Sequence, residues 1–409
     1  MLDADNVNDC APQPQYLSRK QILGRSFETN KEVTQQKSIL RTGNYASAEG
    51  AITAGCSFFA GYPITPSSEI AAHMSKRLPE INGTFVQMED ELASIVCCLG
   101  ASYTGKKVMT ATSGPGFSLM AESIGLGVML EAPMVIVTIM RGGPSTGQPT
   151  NASQSDIYQS RYASHGDYEI IVLAPSTVQE MYDLTIRAFN LAEKYRTPVV
   201  VASDGILGQM MEPVNFHTNI EIIERKGPQV PPEEYKPFQV IDDDLVPGMA
   251  VAGTDYSFYV SGLTHDEEGN PQMTPEAGES LIKRLCDKIR KARSEINDWE
   301  EKYLDDAEVV LLAYGINARG VLEAIEKARQ EGHKVGFVRL KSLWPFPDDL
   351  MEKMGRQGIS KIIVSEMNYG MLIREVQRFQ HLFEVSGITI PTTIPFSPKF
   401  IYKRILKEV

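Results

Sequence analysis

Short apolar runs alternate with amphipathic stretches along most of the chain, beginning near residue 40. The runs have the length of buried strands, and the stretches between them place apolar residues at helical spacing. In the first half these runs are CSFFAG, GTFVQM, KVMTATS, PMVIVTIM, YEIIVLAP and TPVVVASD. Strands that alternate with helices in this way predict a parallel sheet that helices cover on both faces.

The same alternation returns towards the carboxyl terminus, in the runs AEVVLLAYG, KVGFVRL and KIIVSEMN. A polar, proline-bearing stretch and a charged helix predicted at 276–302 separate the two blocks. The predicted fold class is therefore α/β, with two α/β domains. The predicted organisation is an N-terminal extension, partly disordered, at 1–38, a first α/β domain at 39–228, a connecting segment with one charged helix at 229–300, and a second α/β domain at 301–409.

The composition is typical of a globular protein that has neither nucleic acid nor membrane as a partner. The chain has 409 residues, of which 42% are hydrophobic and 22% are charged, and this length suits two domains. A net charge of −12 argues against nucleic-acid binding as the main function. No apolar stretch has the length of a membrane span, and the polar start shows no signal-peptide pattern, so the expected location is the cytoplasm.

The cysteines show no spacing that would bind a metal or an iron–sulfur cluster. There are five, and none forms a CxxC pair: Cys10, Cys56, Cys97, Cys98 and Cys286. We expect buried or unreactive thiols, and we expect any iron–sulfur cluster to be held by another chain.

The stretch FFAGYPITPSSE (58–69) passes from a buried strand to a helix through a loop with two prolines. One interpretation is structural, with Thr65 as the helix N-cap and Pro66 at the first helical position. The other is functional, since anionic ligands bind at strand ends and helix N-termini in open α/β sheets. A threonine hydroxyl held between prolines is a good donor to a small carboxylate or ketone.

The stretch QMEDELASIVCCLGASYTGKKVMTATSGPG (87–116) places Glu91 at the start of a helix that follows a strand. An acidic residue in a first turn also complements the helix dipole, so Glu91 alone has a purely structural interpretation. The whole stretch, however, resembles the pyrimidine-binding domain of thiamine-diphosphate enzymes. The residues that carry the resemblance are Glu91, Ala93, Gly100, Tyr103, Gly105 and the run Thr112–Gly116.

This resemblance implies a role for the carboxylate. Glu91 would hydrogen-bond the pyrimidine N1′ and favour the imino tautomer, so that the 4′-nitrogen can take a proton from thiazolium C2. It also implies that Ser113 and Gly114, in the SGPG turn, contact the cofactor.

Two further motifs narrow the resemblance. Together with YPITPSS, the stretch RGGPSTGQPTNASQSD (141–156) is similar to the alpha subunit of 2-oxoacid:ferredoxin oxidoreductases. The similarity covers about residues 40 to 409, and the second domain resembles a transketolase C-terminal domain. It implies that Thr65 donates to the 2-oxoacid beside Tyr62, and that Arg141 pairs with the substrate carboxylate. The alternative for Arg141 is a surface ion pair of a loop residue.

The substrate is not settled by these motifs. The stretch from VPPEEYKPF to VSGLTHDEEGNP resembles the 2-oxoglutarate branch, whereas SDGILGQMMEP (203–213) resembles the branched-chain branch. We expect CoA-dependent oxidative decarboxylation of 2-oxoglutarate with electrons passing to ferredoxin, or the reverse, with 2-oxoisovalerate or pyruvate as alternatives. The second carboxylate of 2-oxoglutarate needs a cation or donors, and the chain offers the polar loop Gly142–Ser155, with Arg161 and His165 beyond it.

The resemblance also implies partner subunits. The chain has no G-D-G…N motif for the pyrophosphate, so thiamine diphosphate and Mg²⁺ would be shared with a beta subunit that also carries an iron–sulfur cluster. Gamma and delta subunits are further candidates. The alternatives are another thiamine enzyme, such as a split transketolase or an indolepyruvate oxidoreductase, and a scaffold subunit with a decayed site. The presence of Thr65, Glu91 and Arg141 argues against decay.

Overall fold

The computed structural model describes residues 38–217 and 219–408. The predicted N-terminal extension therefore lies outside the described residues, apart from Ser38 at its end. Within the described residues, no helix combines the length and the apolar composition needed to cross a membrane.

The strands and helices follow one another in nearly the order that the sequence predicts. The strands are β1 Ile39–Thr42, β2 Cys56–Gly61, β3 Thr84–Gln87, β4 Lys107–Thr112, β5 Met134–Gly142, β6 Gln148–Ala152, β7 Ile171–Leu173, β8 Pro198–Asp204, β9 Met211–Val214, β10 Trp299–Lys302, β11 Val309–Tyr314, β12 Val335–Leu340, β13 Ser342–Trp344, β14 Lys361–Glu366 and β15 Glu384–Thr389. The helices are α1 Gly43–Thr53, α2 Ser68–Glu80, α3 Glu91–Tyr103, α4 Gly114–Leu119, α5 Ala121–Met129, α6 Ile157–Arg161, α7 Val178–Tyr195, α8 Gly205–Gln209, α9 Pro275–Lys291, α10 Arg293–Ile296, α11 Asn317–Gln330, α12 Asp348–Arg356, α13 Leu372–Gln377 and α14 Pro398–Ile405, with one 3-10 turn at Pro232–Glu234.

The first sheet has the order β13-β7-β8-β5-β4-β2-β3, and β6 pairs with β5 beside this path. From β7 to β3 every neighbouring pair is parallel. All residues of β4, β5 and β8 are buried, which explains their continuous apolar runs, because helices cover both faces. The prediction of a parallel sheet in an α/β fold is confirmed.

The second sheet has the order β10-β12-β11-β14-β15 and is parallel except for β10. It confirms the second α/β block. Its core is separate from that of the first sheet on one face, where α11 packs on β11 and β12 and α14 packs on α11. The two sheets are nevertheless joined, because β13 leaves the second block and pairs antiparallel with β7 of the first sheet.

Three local predictions are wrong. The charged helix predicted at 276–302 ends at Lys291, and Trp299–Lys302 is a strand that pairs antiparallel with β12 at the edge of the second sheet. The single helix expected at 117–130 is two helices that meet at Met120. The loop expected at 142–155 contains β6, which folds back on β5.

Candidate active site

Most of the predicted site residues lie at the carboxyl ends of four neighbouring parallel strands of the first sheet, β3, β2, β4 and β5. Glu91 follows β3, Thr65 follows β2, Ser113 and Gly114 follow β4, and Arg141 lies at the end of β5. In open α/β folds, ligands bind at the carboxyl ends of the parallel strands.

Glu91 is the first residue of α3, but it is not the cap of that helix. Asp90 is the N-cap and accepts a hydrogen bond from the Ala93 N–H at 2.8 Å. Glu91 is 4% exposed, and its Oε1 is buried without a hydrogen-bond partner among the described residues. Burial raises the pKa of the Glu91 carboxyl above its ordinary value. The structural interpretation of Glu91 as a first-turn acid therefore leaves its buried, unpartnered oxygen unexplained.

Gly116 explains why the SGPG turn can lie against this carboxyl. A Cβ at this position would lie 2.3 Å from Glu91 Oε1 and 2.2 Å from Thr112 Oγ1, so only glycine fits. Two hydroxyls beside the turn, Thr112 Oγ1 and Ser113 Oγ, are also buried with no partner in the part of the chain that the structure describes. Buried polar atoms without partners are uncommon in folded proteins, and here three of them lie in adjacent segments.

Thr65 lies in a turn that precedes the helix. Helix α2 begins at Ser68 with Ser67 as its N-cap, and both the N–H and the hydroxyl of Ser67 donate to the Ile64 carbonyl at 2.9 Å. The interpretation of Thr65 as the N-cap is therefore wrong, because an additional turn separates it from the helix. Thr65 is exposed, and its main-chain oxygen accepts a hydrogen bond from Arg141.

Arg141 is buried inside β5, not in a surface loop, and is 6% exposed. Nη1 donates to Thr65 O at 2.7 Å and Nη2 to Thr146 O at 3.2 Å. Nε is buried without a partner, and over residues 38–217 and 219–408 no carboxylate lies within ion-pair distance of the guanidinium. The surface ion pair considered for this residue is therefore not formed. Main-chain carbonyls accept its hydrogen bonds, and the carboxyl of Asp156 lies near enough for the charge of Arg141 to oppose the rise of its pKa.

Asp156 is a site residue that the sequence reasoning missed as a candidate. It is 9% exposed, and its Oδ2 is buried without a partner among the described atoms. Burial raises the pKa of Asp156 to about 6, against the opposing effect of Arg141. One signal was available, because Asp156 is the first charged residue after Arg141 in a loop of uncharged polar residues.

A cleft of about 660 Å³ lies beside Arg141, Gly114 and Asp156. Its walls are the start of the SGPG turn, Arg141 and the loop that follows it, the segment Ser155–Gln159 and, from the second block, Tyr369, Met371 and Pro391. Arg141 is the only cation among the described residues that line it. Tyr62 is 41% exposed and does not line the cleft, and neither do Thr65, Glu91 and Ser113.

The two cations expected to help with a second carboxylate lie elsewhere. Arg161 donates to Tyr168 O at 2.8 Å and pairs with Glu169 at 3.1 Å. His165 lines a different cavity of about 490 Å³. Neither residue lines the cleft, so the suggestion that they contact the substrate is not supported by their positions.

The chain is similar to known proteins of one enzyme family. Residues 49–284 match the family model for pyruvate flavodoxin/ferredoxin oxidoreductase, thiamine-diphosphate binding, and residues 307–388 match core domain II of pyruvate:ferredoxin oxidoreductase. The chain is 54% identical to 2-oxoglutarate synthase subunit KorA of Methanocaldococcus jannaschii over 336 residues, which cover 82% of this chain and 90% of the relative. It is 39% identical to ketoisovalerate oxidoreductase subunit VorB of Methanothermobacter thermautotrophicus over 339 residues, 82% of this chain and 88% of the relative.

A solved structure is also similar. The 2-oxoglutarate:ferredoxin oxidoreductase from Magnetococcus marinus, solved with 2-oxoglutarate, coenzyme A and succinyl-CoA bound, matches with a TM-score of 0.87 at 36% identity. The match covers 91% of this chain and 65% of that longer chain. The resemblance inferred from the motifs is thus confirmed: this chain belongs to the pyruvate flavodoxin/ferredoxin oxidoreductase family, as a subunit of the 2-oxoacid:ferredoxin oxidoreductase type with a thiamine-diphosphate-binding domain.

Proposed function

We propose that this chain is the catalytic alpha subunit of a CoA-dependent 2-oxoglutarate:ferredoxin oxidoreductase that acts in the cytoplasm. The observation that carries the proposal is the buried Glu91 carboxyl with an unpartnered oxygen, at the same end of the sheet as the buried guanidinium of Arg141, which forms no ion pair among the described residues. A scaffold subunit with a decayed site would have no need to retain either of these costly buried groups.

The residues present fit thiamine diphosphate. Glu91 offers a buried acceptor for the pyrimidine N1′, and its raised pKa allows the carboxyl to share a proton with that nitrogen. The unpartnered hydroxyls of Thr112 and Ser113 are further groups that could hold the cofactor. When bound, thiamine diphosphate supplies the nucleophile for the 2-oxo carbon and the electron sink for decarboxylation.

Arg141 and Thr65 would bind the 2-oxoacid. The guanidinium faces the cleft with a full positive charge and free N–H capacity, which suits the carboxylate next to the oxo group. The Thr65 hydroxyl is exposed at the adjacent turn, and it would donate to the carboxylate or to the oxo group. The 2.7 Å contact between Arg141 and Thr65 O keeps the two groups in a fixed relation.

The choice of 2-oxoglutarate rests on the relatives and on the polarity of the cleft. The relative named for 2-oxoglutarate is 54% identical, and the relative named for ketoisovalerate is 39% identical. The cleft is lined by neutral donors, Ser118, Ser145 and Gln159, which could bind a second carboxylate better than a branched alkyl chain.

The remaining components would come from partner subunits. The relatives are named as subunits, which supports a multi-subunit enzyme. A beta subunit would hold the pyrophosphate, Mg²⁺ and an iron–sulfur cluster, and gamma and delta subunits would complete a larger assembly. Ferredoxin would then exchange electrons with the clusters of the partner subunits, and CoA would accept the acyl group.

The proposal is tested by co-expressing the chain with its candidate beta subunit and assaying a panel of 2-oxoacids with CoA and a viologen acceptor. We expect the highest kcat/KM with 2-oxoglutarate and no turnover by the single chain. A higher kcat/KM with 2-oxoisovalerate or pyruvate would overturn the substrate assignment. Turnover by the single chain would overturn the requirement for a partner.

A further inference from the structure

Gln154 connects the loop at one wall of the cleft to the second sheet. Its side chain is fully buried, Nε2 donates to Tyr314 O at 3.1 Å, and Oε1 accepts from the Met367 N–H at 3.0 Å. Its own N–H donates to Met367 O at 3.3 Å. Tyr314 ends β11 and Met367 follows β14, so one side chain in the first block contacts two strand ends of the second.

Asn368, in the second block, contacts the main chain of Gln154 in the first block. Its Nδ2 donates to Gln154 O at 2.8 Å and to Glu366 Oε2 at 2.8 Å. Its Oδ1 accepts from the N–H groups of Gly370 at 2.9 Å and Met371 at 3.0 Å. Asn368 therefore binds the 142–156 loop with one end of its amide and the Tyr369–Met371 turn with the other.

Both partners of this pair continue directly into the cleft. Ser155 and Asp156 follow Gln154 and line one wall, whereas Tyr369 and Met371 follow Asn368 and line the facing wall. The two walls belong to different sheets, and the Gln154–Asn368 contact is a buried bridge between them.

The bridge is anchored on a rigid support. Glu366 lies at the end of β14, and its carboxylate accepts from the N–H groups of Leu372 at 2.9 Å and Ile373 at 3.1 Å in the first turn of α13. Tyr314 Oη receives a hydrogen bond from Asn368 at 3.0 Å. A buried network in which these groups satisfy one another rigidifies its surroundings, and the loss of one member leaves the others unpaired.

We propose that Gln154 and Asn368 are positioning residues that set the separation of the two cleft walls. Through Asp156 and the segment 142–156, the two residues also determine where Arg141 lies relative to the 2-oxoacid carboxylate. The identity of the substrate rests on the function proposed above, whereas the bridge between the walls does not. The inference gives the second α/β block a part in substrate binding, although none of its described residues that line the cleft is charged.

The structure offers a matched control at another contact between the blocks. Arg339 in β12 donates to Glu180 in α7 through two parallel hydrogen bonds of 2.6 and 2.8 Å. Neither residue lines the cleft. Glu180→Gln removes the negative charge that faces Arg339, which keeps its pair with Glu300, and so weakens the attachment of the two blocks without touching either cleft wall.

The test compares Gln154→Met, Asn368→Ala and Glu180→Gln in the assembled complex. Gln154→Met keeps the side-chain volume and removes both amide contacts. We expect it to speed hydrogen exchange in peptides covering 142–156 and 367–371. We also expect it to raise the KM for the 2-oxoacid about tenfold with kcat changed by less than about threefold, since it displaces binding groups and not the reacting carboxylate of Glu91. Asn368→Ala should likewise speed the exchange of these peptides and raise the KM. It serves as the test variant if Gln154→Met does not assemble.

Glu180→Gln should lower the Tm and leave both the KM and the exchange of the two peptides as in wild type. Unchanged exchange and KM in both bridge variants would overturn the inference. Equal KM increases in the bridge variants and in Glu180→Gln would also overturn it, because the effect would then belong to block attachment in general. If the wild-type complex does not turn over 2-oxoglutarate, the proposed function fails, and the exchange comparison still decides whether the bridge positions the walls.

Discussion

Arg141 donates from Nη1 to the main-chain oxygen of Thr65 at 2.7 Å, although 76 positions separate the two residues in the chain. Each residue was predicted from a different motif, and the hydrogen bond shows that the two motifs are in direct contact. The guanidinium is oriented by neutral carbonyls and retains its full charge for a ligand. In the proposed site, the residue that would bind the anion therefore also holds the turn that carries Thr65, the second donor.

Arg141→Lys should raise the KM for the 2-oxoacid by about tenfold or more with a smaller effect on kcat, because an ammonium cannot form both the carbonyl contacts and a two-pronged pair with a carboxylate. Steady-state kinetics of the assembled complex measures this change. Arg161→Lys is the control, since Arg161 is paired with Glu169 away from the cleft. Similar KM values for the two variants would place Arg141 outside the substrate site.

Thr65→Val should cost about 1–3 kcal/mol of substrate or transition-state binding, the scale of one hydrogen bond that a bound substrate would bury, and leave the Tm unchanged. The stability should hold because Thr65 does not cap α2. Ser67→Ala is the comparison, since the Ser67 hydroxyl closes the turn onto Ile64 and its loss should lower the Tm without altering kcat/KM. A Tm loss in Thr65→Val with unchanged kcat/KM would show that the threonine serves the fold alone.

Glu91→Gln should retain assembly and lower kcat by roughly a hundredfold or more, the usual scale for a positioned proton-transfer group. Asp90→Asn tests the neighbouring carboxylate, which caps α3 through Ala93. That variant should lower the Tm slightly and leave kcat near wild type. Turnover within about twofold of wild type in Glu91→Gln would return this residue to a structural role.

Asp156→Asn should change the pH dependence of stability. The folded pKa of Asp156, about 6, lies above the ordinary value of 3.8, so its contribution to stability is fully present below about pH 4 and is lost as the pH rises through 6. The asparagine variant does not titrate. It should therefore gain stability relative to wild type between pH 4 and 7, by up to about 3 kcal/mol for a pKa raised by about two units.

Urea denaturation of both proteins at several pH values measures this difference. The pKa of Asp204 is also raised to about 6 by burial, but Asp204 is present in both proteins, and its effect cancels in the difference. Parallel stability curves for wild type and Asp156→Asn would contradict the prediction.

The sequence predicts those parts of the site that local patterns encode. Glu91 was identified because a strand, a helix start and the SGPG turn occur in a recognisable order, and each of these is a short-range signal. The position of Arg141 at a strand end was predicted for the same reason. The burial of Arg141 and its contact with Thr65 could not be predicted from local patterns, because both depend on how β2 and β5 are spaced across the sheet.

The features that escaped prediction all depend on long-range contacts. Gln154 looks like an ordinary loop residue in sequence, and only the ends of β11 and β14 make it a buried bridge. Trp299–Lys302 carries a pattern compatible with the end of a charged helix, and pairing with β12 decides otherwise. Asp156 was passed over because burial, and not residue type, gives its carboxyl an unusual pKa.

The pairing of β13 with β7 has a consequence for how the protein is made. Ser342 and Trp344 lie opposite Leu173 and Val172, so the outer strand of the first sheet obtains its last neighbour from a segment about 170 positions later in the chain. While the ribosome is still translating the intervening residues, β7 presents unpaired N–H and C=O groups, as any sheet edge does. The newly made first half therefore carries an open edge, available to chaperones or to other nascent chains, until residues 342–344 have emerged.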